Sequence, residues 1–387
     1  MFDSIHAYQE ELTHIRRHLH MHPELSFQET KTYQFILNYL KALPHINIRE
    51  HVGEKGIVAT LSNGNGQNIA LRADFDALPI QDEKDVPYKS TVDGVMHACG
   101  HDAHTATLLV TAKHLAHHIE QVKGTVTFLF QFAEEIAPGG ANFMVQDGAI
   151  ENVDKVYGNH YWATYDVGVV KSINGPLLAS PDMFDITIYG AGGHGAKPHL
   201  TKDAIVIMAE LINQLQTIVS RNVNPVDQAV VTIGRVEAGD AFNVIADHAK
   251  CSGTVRTYTS EVKYLIKERI EQELKGFAIS KGITYDLDYT LGFPAVVNHE
   301  QEYEVIKRAA KRAGLKYEDS KPLMIGEDFS YYILDKPGAF FLTAAGSSDY
   351  PPHHHPMFDI NETSMVNGLK MFLSILMEEG VFINDTN

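Results

Sequence analysis

Residues 97–104, HACGHDAH, place His97, Cys99, His101, Asp102 and His104 within one short stretch. Imidazole, thiolate and carboxylate are three standard metal-ligand chemistries. The same residues also allow a Cys99 nucleophile with a histidine base, or a histidine-rich helix start with no chemistry. A metal site needs ligands from elsewhere in the chain.

Four further stretches supply candidates. FAEEIAPGGA sets Glu134 and Glu135 side by side after an apolar run. Adjacent carboxylates repel and are costly to bury. A metal ligated by one, with the other as general base, resolves that cost; a solvated strand end is the plainer alternative. His160 closes the apolar segment VYGNHYW, as a ligand or as an interior hydrogen-bonding histidine. PPHHHPMF holds His353, His354 and His355 between prolines, which stiffen the loop; at most one or two of them point at a common site. GAGGHGAKPH carries His194 and His199 on a glycine-rich turn, suited to lying over a substrate or to being a plain flexible turn. It lacks the Lys-Ser/Thr of a phosphate loop. Asn243 in DAFNVIAD and Arg256 in SGTVRTY also look out of place. Arg256 interrupts an apolar strand and could grip a substrate carboxylate in fork geometry or form a local salt bridge.

These residues need a scaffold. The first forty residues show helical periodicity in Leu12, Ile15, Leu19 and then Tyr33, Ile36, Leu37 and Leu40. GIVATLS, NIALRADFDALPI, GTVTFLFQFAEE, KVYGNHYW and GAFFLTAAG read as strands, and HTATLLVTAKHLAHHI and EYEVIKRAAKRAG as helices. Alternating strands and helices predict a mostly parallel α/β sheet covered on both faces. In such sheets chemistry sits beyond the carboxyl ends of the strands, and Asp74, Asp76, Glu134, Glu135 and His160 fall at or near such ends. Residues 181–292 follow the order β-α-β-β-α-β, a ferredoxin-like α+β unit inserted in the larger domain. The expected division is 1–180, the insert 181–292, and 293–387.

Composition narrows the function classes. The 32 basic and 49 acidic residues give a net charge of −17, a field that repels nucleic acid and anionic membranes. Two cysteines, Cys99 and Cys251, make no disulfide framework. No run approaches the ~20 apolar residues that span a bilayer, and the first residues do not read as a signal peptide. A cytoplasmic protein binding neither nucleic acid nor membrane is expected.

Taken together, RRHLHMHPELSFQE, LRADFDALPI, MHACGHDAHTATLL, FAEEIAPGGA, GNHY, GGHGAKPH, FNVIAD and GTVRTY resemble the metallo-amidohydrolases grouped with hippurate hydrolase. That group takes in bacterial aminoacylases and indole-acetyl-amino-acid hydrolases, and is related to carboxypeptidase G. The resemblance covers almost the whole chain. It implies a two-metal catalytic domain with an inserted lid and dimerisation domain, and hydrolysis of N-acyl amino acids, with dipeptidase activity as the nearest rival and a non-catalytic metal binder as a further one. Cys99, His101, Glu135, His160 and His354 are the implied ligands of two divalent ions per subunit. Manganese or zinc suits that set, and cobalt or nickel is admitted. Glu134 is the implied general base. His194 is implied to reach a partner subunit's oxyanion, and Asn243, Arg256 and His199 to hold substrate. The chain departs from the wider exopeptidases at Asp74, where they carry a ligand histidine; Asp74 and Asp76 are then expected to support the ligands from behind. A homodimer or higher homo-oligomer through the insert completes the expectation.

Overall fold

The computed structural model describes residues 5–383. The chain divides into two units: Met1–Leu177 with Val297–Pro322 and Asp328–Asn387, and Leu178–Val296 with Leu323–Glu327.

The first unit is built on an eight-stranded mixed sheet. Its order is Ile46–Val52, Gly56–Asn63, Gly124–Gln131, Asn68–Asp74, Lys155–Asp166, Gly338–Gly346, Val169–Ser172 and Lys316–Asp319. The four middle strands run parallel. They are the near-continuous apolar runs of the sequence, as strands covered on both faces must be. Antiparallel pairing is confined to three junctions, on either side of that parallel group. The strand Ile46–Val52 was not apparent from the sequence, because INIREHV alternates weakly and is mostly exposed.

Two sequence expectations shift. The strand holding His160 runs on to Asp166, so His160 lies in mid-strand and not at its end. The strand before the paired glutamates stops at Gln131, leaving Glu134 and Glu135 in the following turn. The helix His101–His117 begins earlier than its apolar run suggests. Gly100 stands before it at φ +93, a conformation glycine adopts without the Cβ penalty. This helix is buried along nearly its whole length and packs against helices Gln9–Met21 and Ser364–Glu378.

The second unit is an antiparallel four-stranded sheet in the order Ala229–Ala238, His248–Thr257, Ser180–Tyr189, Thr284–Thr290. Helices Ala204–Asn222 and Ser260–Lys281 complete the β-α-β-β-α-β sequence. Along Ser180–Tyr189 burial alternates residue by residue, the period of a strand with one covered face. Phe184, Ile186, Ile188, Leu211, Leu215, Cys251, Ile266 and Ile270 form the core. The side chains of Asp203 and Thr259 accept the first free N–H groups of the two helices.

Among the described residues, no helix is long and apolar enough to cross a membrane.

Candidate active site

Six of the residues singled out in the sequence converge in the first unit. Donor atoms of Cys99, His101 and His160 lie within 4.8 Å of one another, as do those of Cys99, Glu135 and His354, and those of His101, Glu134 and Glu135. The strand Lys155–Asp166 brings His160, with Nε2 3.4 Å from Cys99 Sγ. The loop entering helix His101–His117 brings Cys99 and His101. The turn after Gln131 brings both glutamates.

The ring orientations leave nitrogens free for a cation. His101 Nδ1 faces the Asp76 carbonyl at 3.0 Å and its carboxylate Oδ1 at 3.1 Å, so Nδ1 carries the hydrogen and Nε2 presents a lone pair. His101 Nε2 is buried without a hydrogen-bond partner, and so is Glu135 Oε1. The two atoms are 3.8 Å apart, with Glu134 Oε2 4.0 Å and Asp74 Oδ2 3.7 Å from the same nitrogen. Buried polar atoms are rarely left unsatisfied. Thiolate, imidazole and carboxylate donors around two such orphans fit divalent cations. His160 Nδ1 donates to its neighbour's carbonyl, Tyr161 O, at 2.8 Å, which leaves Nε2 toward Cys99.

Titration follows the same geometry. Burial, reinforced by His104 and His353, holds His160 well below its ordinary range, so it is neutral as a ligand must be. Burial would also lower His101, but the Asp74 and Asp76 carboxylates overcome it and push it up to about 10. The negative surplus around His101 is what a cation would neutralise.

The triple histidine separates by contact. His353 Nε2 donates to Tyr161 O at 2.9 Å, and its ring packs 4.5 Å from Trp162 and 5.0 Å from Phe358. His355 Nδ1 accepts the N–H of Met357 on the exposed side. His354 Nε2 reaches Glu135 Oε1 at 3.4 Å. Its backbone sits at φ +62 and donates to Ala98 O at 2.8 Å, beside Cys99.

Asp74, beside His101, also joins a buried network. Its carboxylate meets Arg72 at 2.7 Å and His104 Nδ1 at 2.6 Å. His104 Nε2 in turn accepts Tyr161 N–H at 3.0 Å, tying helix His101–His117 to the strand of His160. Arg72 also binds Asp328, whose carboxylate accepts from Gln131 and Ala141.

In the second unit, His194 and Asn243 are brought together but not with Arg256. The two-residue strands Gly193–His194 and Val244–Ile245 pair, and Gly195 N–H donates to Asn243 O at 2.9 Å. His194, His199 and Asn243 are exposed. Arg256 is half-buried on His248–Thr257, bonding Thr254 Oγ1 and Val255 O. Burial lowers its pKa.

Sequence reasoning missed Arg16, His20, Ser26, Glu29, Arg72 and Asp328. Two left a trace. Arg16 falls on the apolar face of Leu12, Ile15 and Leu19, and Arg72 interrupts the apolar run NIALRAD.

A model of the Peptidase family M20/M25/M40 matches residues 70–378. The chain belongs to that family. It is a hydrolase, an amidohydrolase of that family. It is 41% identical over 360 residues to N-acetyl-L-cysteine deacetylase of Bacillus subtilis, covering 92% of this chain and 85% of that one. It is 42% identical over 286 residues to N-acyl-L-amino acid amidohydrolase of Geobacillus stearothermophilus, covering 74% and 77%. The crystal structure of the Bacillus subtilis YXEP protein, described as a dinuclear metal-binding M20 peptidase, is 35% identical, with a TM-score of 0.83 over 97% of this chain and 99% of that one.

Proposed function

We propose that this M20 chain hydrolyses the amide bond of N-acyl amino acids, with Glu134 as general base and then general acid. The observation that carries the reading is the buried Glu134 carboxylate set 4.0 Å from the unpartnered His101 Nε2, within the five-residue donor set. Two of the relatives compared above are named for acting on N-acyl amino acids.

Cys99, His101, Glu135, His160 and His354 would hold two divalent ions. Cysteine and histidine suit zinc, while the carboxylate also admits manganese, cobalt or nickel. When bound, such ions polarise an acyl carbonyl and bring a ligated water's pKa toward ~7. Asp76 fixes the tautomer and plane of His101 from behind, and Asp74 holds His104 against the strand of His160. Glu134 accepts the proton of the attacking water as its oxygen bonds the acyl carbon. Glu134 then returns that proton to the nitrogen as the C–N bond breaks, releasing a carboxylate and a free amino acid. His194 donates to the oxyanion in a partner subunit's site, and Asn243, Arg256 and His199 hold the amino acid. A dipeptide presents the same N-acyl group, and the YXEP protein is described as a peptidase. Amine release from N-acetyl and N-benzoyl amino acids, set beside dipeptides with the same C-terminal residue, tests the choice. Faster turnover of the N-acyl compounds is expected; turnover of dipeptides alone would make the protein a dipeptidase.

The insert supports self-association. Its edge strand Ala229–Ala238 exposes Val230 and Val236, and Phe242 in the following turn and Val244 in the short strand after it are open. An unpaired edge with apolar side chains is a template for a second strand. Sedimentation at micromolar concentration is expected to give about twice the 43.0 kDa chain mass, and Val236→Asp a monomer. A monomeric parent protein would remove the dimer and the shared His194 site.

A further inference from the structure

The turn that carries Glu134 is held from outside. Ala133, the residue before it, sits at φ +49, a left-handed conformation that alanine rarely occupies. Its N–H donates to Glu29 Oε1 at 2.9 Å, and its carbonyl accepts Gly140 N–H at 2.8 Å. On the far side of Glu134, Glu135 N–H donates to Asp76 Oδ2 at 3.0 Å. That same oxygen accepts the Ser26 hydroxyl at 2.7 Å. The residues flanking Glu134 are therefore each fixed by a carboxylate, and the loop Ser26–Glu29 serves both. The loop is itself anchored: Lys55 Nζ donates to the carbonyl of Phe27 and lies 3.9 Å from Glu29 Oε2.

Glu29 is almost completely buried, and its Oε2 has no hydrogen-bond partner. Burial, with the nearby Asp76 charge, pushes its carboxyl up to about 7. A carboxylate so sparsely compensated is destabilising in itself. An apolar side chain would pack there without that cost, but could not accept the Ala133 N–H. The strained backbone it holds immediately precedes the residue read as the base, and such strain concentrates where geometry serves function.

We propose that Glu29 is a positioning residue for Glu134, holding the Ala133 peptide in the left-handed conformation that keeps the Glu134 carboxylate beside His101 Nε2. The inference rests on the reading of Glu134 as the base.

The test compares metal-reconstituted holoenzymes carrying Glu29→Ala, Glu29→Gln and Glu134→Gln, with kcat, KM, bound metal per chain and Tm measured for each. Glu29→Ala is expected to lose about a hundredfold in kcat, the usual cost of a small misplacement. Its KM should stay within about threefold and its metal content at the parent level, because Glu29 contacts Ala133 and Lys55 and is not one of the five candidate ligands. Glu29→Gln keeps an oxygen for the Ala133 N–H and is expected to recover kcat to within about fivefold of the parent. Ala133→Gly, which adopts φ +49 without strain, is expected to restore at least part of the kcat lost in Glu29→Ala. A parent-like kcat in Glu29→Ala, equal losses in the alanine and glutamine variants, or metal lost in step with activity would each overturn the proposal. Should Glu29→Ala not fold, Glu29→Gln decides: a loss beyond about tenfold with metal retained contradicts it. Full activity in Glu134→Gln would instead remove the base itself, separating failure of that reading from failure of this inference.

Discussion

Glu134→Gln is expected to lower kcat by about two to four orders of magnitude, the usual contribution of a positioned general acid–base group. KM and metal content should change little. The substitution keeps the volume and shape of a side chain that is only 6% exposed, so the turn has no reason to collapse. The neighbouring donor set is untouched, because Glu135, not Glu134, lies against His354. What disappears is the capacity to take a proton and return it. Steady-state kinetics with metal analysis on the same samples would check this. Turnover within tenfold of the parent, with metal bound, would show that another group handles the proton.

Arg16→Met carries the largest expected effect on stability, a loss of about 3–5 kcal/mol, as when one partner of a buried ion pair is removed. Arg16 is fully buried, and each guanidinium nitrogen meets a different carboxylate. Nε contacts Asp102 at 2.9 Å, Nη2 Asp359 at 2.8 Å, and Nη1 Glu362 at 3.2 Å. Asp102 follows His101 directly, and Asp359 lies in the segment that continues from His354. One side chain thus ties together both stretches that bring candidate ligands. Methionine fills most of the volume but leaves the buried Asp102 carboxylate without its guanidinium, held by His20 at 2.7 Å and the Ala103 N–H at 2.9 Å.

The pH dependence follows in sign. Burial alone would raise the Asp102 carboxyl, but Arg16 and His20 overcome it and hold it well below the ordinary range. A carboxyl depressed on folding contributes stability that is present above its unfolded pKa, about 4, and is lost as pH falls through the folded value. Tm of the parent protein should therefore fall on the acid side. The deficit of Arg16→Met should be greatest near neutrality and shrink below about pH 4, where the stranded carboxyls protonate. Thermal unfolding at pH 7 and about pH 3 measures both. Equal Tm values for parent and variant at pH 7 would mean that the network holds the site without stabilising the fold.

The two networks show what the sequence discloses and what it hides. Cys99 with His101, and Glu134 with Glu135, were legible because each pair is close in the chain, the first at a helix start and the second just past an apolar strand. The insert was legible because its strand and helix periods alternate cleanly. His160 was found but misplaced: the burial of Tyr161 and Ala163 continues the strand past it, and no turn residue marks that. The mixed edges of the large sheet were not visible, since strand direction depends on partners far along the chain. Arg16, Glu29 and Arg72 were missed for the same reason. Arg16 and Glu29 meet partners 86 and 104 residues away, and Arg72 bridges its near neighbour Asp74 to Asp328, 256 residues on; a buried charge looks like a surface charge until such distant partners are known.

The most direct test of the central claim is free-amine release from the preferred N-acyl amino acid by three preparations: protein as purified, protein stripped with a chelator, and stripped protein restored singly with zinc, manganese, cobalt or nickel. The account predicts that stripping abolishes release, that at least one ion restores it, and that restored activity saturates near two ions per chain. Undiminished turnover by demonstrably metal-free protein would contradict it.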